Sequence, residues 1–216
     1  MSVKENYDKI KNGLNENVSL IAVVKGQSNE AIKELYDSGQ RIFAENKVQD
    51  LIEKIDYFKD YNMKWHFIGH LQRNKVKYII DKVDLIHSLD SIKLAEEISS
   101  RAKKNGIIMD CLVQINTGSE ENKYGIDMEE CENFLSDLQQ FDGIRVTGLM
   151  AVTPFSENPE NARPYFKKMR TLFDKVKKQK YVNAELIHLS MGMSNDYQIA
   201  AEEGADMVRI GSLLFY

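Results

Sequence analysis

The residue best placed for chemistry in this 216-residue sequence is Lys25, which closes the largely apolar run 18–24 and is followed at once by Gly26. A short run rich in β-branched residues and ended by a breaker reads as a strand buried on both faces. The C-terminal end of such a strand is where α/β folds bind ligands. Lysine is also the side chain that forms Schiff bases, provided its ammonium is partly desolvated and loses a proton. A strand-end lysine that merely snorkels to water is the competing reading on position alone.

Two more features bear on that choice. Ser190-Met191-Gly192-Met193-Ser194 leads into a helical pattern containing Ile199 and Ala200, and Gly211-Ser212 follows the last apolar run. Ser194 reads as an N-cap, the N–H groups after it could hold an anion, and Gly192 permits close backbone approach. Two such loops side by side favour a phosphate site over ordinary capped turns. Arg209 interrupts the apolar segment Met207-Val208-Arg209-Ile210. A buried arginine needs a partner, either a structural carboxylate such as Glu45 or Asp206, or a ligand. His66 reads as a hydrogen-bonded core residue and His70, after Gly69, as a rim residue. His87 and His188 read as structural, and no His/Cys/Asp/Glu set has zinc spacing.

Positioning these residues requires a scaffold. Strand patterns fall at 18–24, 41–44, 65–68, 85–89, 111–115, 146–152, 186–189 and 207–210. Helical spacing lies between them at Val48/Leu51/Ile52/Ile55, Val76/Ile79/Ile80/Val83, Met128/Cys131/Leu135/Leu138 and Phe166/Met169/Phe173/Val176. A further helix at about 3–16 precedes the first strand. Eight strands alternating with helices predict one closed (β/α)8 TIM barrel spanning 1–216. An open doubly wound sheet is the alternative, but no Gly-rich dinucleotide fingerprint follows the first strand. In a barrel the strand ends then bring Lys25, Glu45-Asn46, Gly69-His70, Asn116-Thr117, Met150, Thr153, Ser190–Ser194 and Arg209–Ser212 to one rim.

Composition narrows the function classes. With 29 Lys+Arg against 33 Asp+Glu the formal net charge is -4, which gives no general pull towards nucleic acid or anionic membrane. The basic stretch 167–180 keeps helical apolar spacing, so a solvated helix face is expected. Two cysteines, no signal-peptide pattern at the N-terminus and no uncharged apolar stretch approaching ~20 residues predict a cytoplasmic protein with reduced thiols.

Trp65-His66-Phe67-Ile68-Gly69-His70-Leu71-Gln72-Arg73-Asn74-Lys75 resembles the signature of the YggS/PROSC family of pyridoxal 5'-phosphate (PLP) homeostasis proteins. Ala44-Glu45-Asn46-Lys47-Val48-Gln49-Asp50, His188-Leu189-Ser190-Met191-Gly192-Met193-Ser194 and Val208-Arg209-Ile210-Gly211 resemble its other motifs, in order, so the resemblance covers nearly the whole chain. There are three departures. Ala44 stands where Gly is usual, Gly26-Gln27 replaces a Thr-containing turn, and Tyr216 ends the chain earlier than in many relatives, which predicts a short or missing final helix.

The resemblance implies a fold-type III barrel like that of alanine racemase, with PLP held as a Schiff base on Lys25 and without established catalysis. It assigns the phosphate to Ser190 and Ser194 with nearby backbone groups, together with Gly211 and Ser212, counts Met193 among the cofactor-binding residues, and places Asn46 and His70 beside the ring. Arg209 would lie near the cofactor, with the pyridine nitrogen as its candidate contact. An amine must be neutral to attack an aldehyde, and partial burial of Lys25 and a nearby Arg209 would both favour that. The implied partners are PLP and PLP-dependent apo-enzymes as recipients, for a protein expected to be monomeric. The rival readings are a PLP-dependent racemase-like enzyme, an aldolase-type Schiff-base barrel acting on a sugar phosphate, and an interaction protein without cofactor. Racemisation needs acid/base groups on both faces of the substrate carbon. In alanine racemase the second comes from an additional domain, which this sequence is not expected to supply.

Overall fold

The computed structural model describes residues 2–118 and 124–216. Helix α1 (Val3–Asn12) opens with a capping box: Ser2 Oγ accepts from Glu5 N–H while the Glu5 carboxylate accepts from Ser2 N–H. It ends at Asn12, capped by Gly13, four residues short of the expected end at about 16. The order continues β1 (Ser19–Val23), α2 (Asn29–Asp37), β2 (Ile42–Glu45), α3 (Val48–Tyr57), β3 (Lys64–Phe67), β4 (Leu85–Leu89), α4 (Ile92–Lys104) and β5 (Met109–Asn116). After a two-residue β6 (Ile126–Asp127) come α5 (Cys131–Leu138), β7 (Ile144–Val152), α6 (Arg163–Lys177), β8 (Ala184–Met193), α7 (Tyr197–Glu202), β9 (Met207–Ile210) and α8 (Ser212–Phe215). Every pairing is parallel. The strands run β4-β3-β2-β1-β9-β8-β7-β5, and β4 pairs with β5, so eight strands close into the expected barrel while β6 flanks β5.

Strand alternation builds two apolar layers. On β1, Leu20 and Ala22 face the helices, as does Val24 just after it, while Ile21 points into the barrel with Ala44, Leu85, Leu112, Met150 and Met207. The outer layer holds the helix stripes read from the sequence, including Leu51 of α3, Leu135 and Leu138 of α5, and Phe166, Met169, Phe173 and Val176 of α6. Lys167 and Lys168 lie on the solvent side of α6, as their pattern predicts. Both cysteines are buried free thiols, and burial pushes Cys131 up to about 12.

Two local readings change. The segment with Val76, Ile79, Ile80 and Val83 on one face is not an α-helix; Arg73–Tyr78 is a 3₁₀ helix. The 3₁₀ helix buries Val76, and Ile79, Ile80 and Val83 are buried in the turns that follow it in the short β3–β4 link. Strand β8 runs beyond the expected 186–189 to Met193, because β9 extends the pairing at Ser190–Met207 and Met193–Arg209 across a register shift.

On the outer side of β2, Glu45 is fully buried and bonds Lys54 Nζ of α3 at 2.6 Å. Removing one partner of such a pair leaves an uncompensated charge. Lys54→Met should therefore cost about 3–5 kcal/mol, read as a lower urea midpoint. A loss under about 1 kcal/mol, the scale of an exposed pair, would show that Glu45 is solvated or re-paired.

Candidate functional site

Strand register assembles one rim. Ile21 pairs with Arg209 and Ala22 with Ile210, so the register, continued, sets Val23 and Val24, the two residues before Lys25, against Gly211 and Ser212. A side chain at Gly211 would stand 3.1 Å from Val23 O, which explains why the glycine lets that loop press on β1. On the other flank Val24 N–H donates to Ala44 O at 3.0 Å, which sets Asn46 beside Lys25. A Cβ at Gly69 would collide with the backbone of Asn46, so the glycine lets the ends of β2 and β3 meet and brings His70 next in line. Ser194 Oγ accepts from Gly211 N–H at 3.3 Å and ties the loop after β8 to the loop after β9.

Lys25 is exposed. The partial burial expected of it is absent: the chain turns at Gly26 (φ 69°), and a side chain built at that neighbouring position would also meet open space. Asn46 is half-buried, and His70 and Ser212 are exposed at the rim. Ser194 is not the N-cap of the following helix. Asp196 holds that position, and its carboxylate accepts from Met193 N–H at 2.7 Å and from Thr153 Oγ1 at 3.1 Å. The run Ser194-Asn195-Asp196 offers three cap-forming residues, and sequence does not choose among them. The N–H groups of Ser194 and Ser212 have no hydrogen-bond partner among the described residues.

Beneath the rim lies a buried polar chain. Arg209 Nη1 donates to Ser190 Oγ at 2.6 Å and Nη2 to Ala151 O at 2.7 Å. His87 Nδ1 lies 3.1 Å from Ser190 Oγ, and His87 Nε2 lies 3.0 Å from His66 Nδ1. Neither expected carboxylate reaches the arginine. Glu45 points outward to Lys54, and Asp206 is bound by His188 Nδ1 at 2.6 Å and by Leu189 N–H. Burial lowers Arg209 to about 10, with the Asp196 charge acting in the opposite direction, so the guanidinium stays cationic at neutral pH. Burial pushes His66 down to about 3 and His87 well below the ordinary histidine value, so both rings are neutral. The Ser190 hydroxyl is thus committed inside the barrel, while Ser194, Gly211 and Ser212 line the surface above it.

The opposite half of the mouth, at the ends of β3, β5 and β7, holds a cavity of about 260 Å³ lined by Ile68, His70, Gln114, Ile115, Asn116, Tyr124 and Val152. The His70 and Tyr124 rings stack with centroids 3.7 Å apart and planes 11° from parallel. His70 Nδ1 faces Asp90 Oδ2 at 3.4 Å, and Gln114 Nε2 donates to Tyr124 O at 3.2 Å. Burial raises the Asp90 carboxyl, and His70 pulls it back. Sequence reasoning passed over Asp90 although it directly follows β4, and a reading of the fourth strand end would have found it. Tyr124 carried no signal beyond its neighbour Gly125. Among the described residues no three or more His, Cys, Asp or Glu converge as a metal site.

The whole chain, residues 1–216, matches the family model "Alanine racemase, N-terminal domain". A curated relative from Aquifex aeolicus, named pyridoxal phosphate homeostasis protein, is 47% identical over 204 residues, covering 94% of this chain and 89% of the relative. One of the same name from Helicobacter pylori is 38% identical over 92% of this chain and 87% of its own length. The structure of PipY from Synechococcus elongatus PCC7942 with PLP bound superposes with a TM-score of 0.90 at 33% identity, over 99% of this chain and 100% of that one. Alanine racemase of Clostridium difficile 630 shares the fold at 19% identity with a TM-score of 0.77, and 55% of its length is covered.

The two neutral buried rings make an acid-sensitivity prediction. In the unfolded chain each ring takes a proton below about pH 6.5; in the folded barrel neither does. Their contribution is therefore fully present above the unfolded value and is lost as pH falls, for His66 until about 3. From about pH 6 to about pH 5, above the carboxylate range, each ring should remove up to about 1.4 kcal/mol per pH unit. Urea midpoints across that interval should fall steeply, and the slope should be shallower in His87→Asn. Equal slopes in the two proteins would mean that His87 is protonated in the folded state.

Proposed function

This chain belongs to the YggS/PROSC family of pyridoxal phosphate homeostasis proteins, and from that premise we propose that it holds PLP covalently on Lys25 and keeps it available inside the cell without catalysing a reaction on amino acids. The observation that carries this reading is the position of Lys25: it is exposed, and it is flanked through the β1–β9 register by Gly211 and Ser212 and through β2 by Asn46.

The residues present fit such a group. The Lys25 amine has no hydrogen-bond or ion-pair partner among the described residues. The N–H groups of Ser194 and Ser212, with Met193 and Gly211 in the same loops, form a donor-rich edge suited to a phosphate. Ser190 contributes from below by orienting Arg209. When bound, the cofactor supplies an electrophilic carbonyl carbon for a primary amine. Asn46 and His70 stand on the flank where the ring would lie. A guanidinium has five donors and no acceptor, and the contacts to Ser190 and Ala151 leave others to point at a pyridine nitrogen. A pyridine nitrogen facing that cation would stay unprotonated and the ring would be a poor electron sink, which would suit a carrier better than a racemase.

Coverage supports the same choice. The match spans 89% of the Aquifex relative, named pyridoxal phosphate homeostasis protein, and all of PipY, whose structure was solved with PLP bound. The chain would act as a cytoplasmic monomer that hands the cofactor to PLP-dependent apo-enzymes. No helix among the described residues is long and apolar enough to cross a membrane.

The purified protein should show a visible absorption band that borohydride removes, with the reduced adduct mapping by mass to Lys25. Lys25→Ala should lose the band and the adduct. A mutant that retains a reducible adduct at the same stoichiometry would overturn the assignment. Conversion of L-alanine to D-alanine at an enzyme-like rate would favour the racemase reading instead.

A further inference from the structure

The two halves of the barrel mouth differ in chemistry. The half made by β1, β8 and β9 presents an amine and backbone donors. The half made by β3, β5 and β7 presents the cavity of about 260 Å³, and no lysine or arginine lines it among the described residues. What that cavity offers is acceptors and π faces. The Gln114 amide turns its nitrogen to the Tyr124 carbonyl, which leaves its oxygen as the acceptor end. Tyr124 and His70 form one stacked wall, and the Asp90 carboxylate stands behind His70 Nδ1. Such a lining disfavours an anion and suits a cation of modest size, for which aromatic faces and carboxylates are the natural partners.

We propose that this cavity is the receiving site for a primary ammonium, either a free amino acid or a lysine side chain of another protein, and that His70, positioned by Asp90, takes its proton. This rests on the reading of Lys25 as the cofactor's anchor. An ammonium has no lone pair and cannot compete for the carbon held by Lys25, so a proton must leave first. With Nδ1 turned to Asp90, Nε2 is the nitrogen available to take it. The titratable groups facing His70 among the described residues are Asp90 and Tyr124. The incoming amine forms its carbon–nitrogen bond as the bond to Lys25 breaks, and the two protons it still carries pass to the Lys25 nitrogen as that nitrogen leaves. The proton held on His70 returns to the same nitrogen, so Lys25 leaves as an ammonium and no oxidant, reductant or external acid is consumed. The contact of 3.4 Å between His70 and Asp90 is loose for a hydrogen bond, as such pairs often are before the ligand arrives.

Two measurements test this. In the first, cofactor-free protein is titrated with L-alanine and, separately, with Nα-acetyl-lysine amide while the NMR signals of His70, Tyr124 and Gln114 are followed. Saturable shifts with the first probe only assign the site to free amino acids, and shifts with the second assign it to lysine side chains. No shift with either overturns the site. In the second, loading of each variant is read from its visible band, and amine-driven release is then scored per loaded molecule. Asp90→Asn should slow release by roughly tenfold or more, with a displaced pH profile, and Tyr124→Ser should raise the amine concentration needed for half-maximal release. Unchanged release in Asp90→Asn overturns the proton-acceptor role. A variant that fails to load bears on the anchor reading alone, and the titration without cofactor still decides the site.

Discussion

A guanidinium sealed inside a parallel barrel has to be met by the strands around it, and in this protein that demand fixes the upper barrel. Arg209 of β9 is held by the Ser190 hydroxyl of β8 and the Ala151 carbonyl of β7, and Ser190 is backed by His87 of β4 and then His66 of β3. Five of the eight barrel strands therefore share one connected polar layer. The layer contains no carboxylate, so its positive charge is held by dipoles and is not neutralised. A charge left in that state needs every acceptor in place. Below it the interior is apolar, filled by Ile21, Leu85, Leu112 and Met207. The interior thus changes from an apolar floor to a cationic ceiling within one side-chain layer.

Much of this was legible from the sequence, and the part that was not has a physical cause. Strand positions could be read because the runs 18–24 and 207–210 are short, apolar and bounded by breakers, and eight of them with helices between imply closure. Lys25, Asn46 and His70 could be placed on one rim because each follows a strand directly. What stayed hidden depends on which face of a strand a residue occupies relative to another. Glu45 adjoins rim residues in sequence, yet it points outward to Lys54, and one step of alternation decides this. The choice of Asp196 over Ser194 as the helix cap, and the extension of β8 to Met193, are set by β9, which lies later in the chain. The 3₁₀ winding of Arg73–Tyr78 has the same apolar spacing as a helix, so periodicity alone could not expose it.

The mouth is thus divided by construction. Glycines at 69 and 211 let the loops on either side of Lys25 lie close, which makes that half crowded with backbone. The half over β5 has a wall made of side chains, in which Tyr124 stacks on the His70 ring and its carbonyl accepts from the Gln114 amide.

The pairing of β1 with β9 has a consequence for the life of the chain. Lys25 lies near one end of the sequence, and Gly211 and Ser212 near the other, yet they are neighbours only when those two strands are joined. A ribosome-bound chain that has not yet released β9 owns the lysine but not the edge that faces it, and its barrel has an open seam. The rim therefore comes into being as a late event of biogenesis. Any molecule that grips both sides of the seam would distinguish a finished copy from a partial one and, by binding only the closed form, hold it shut.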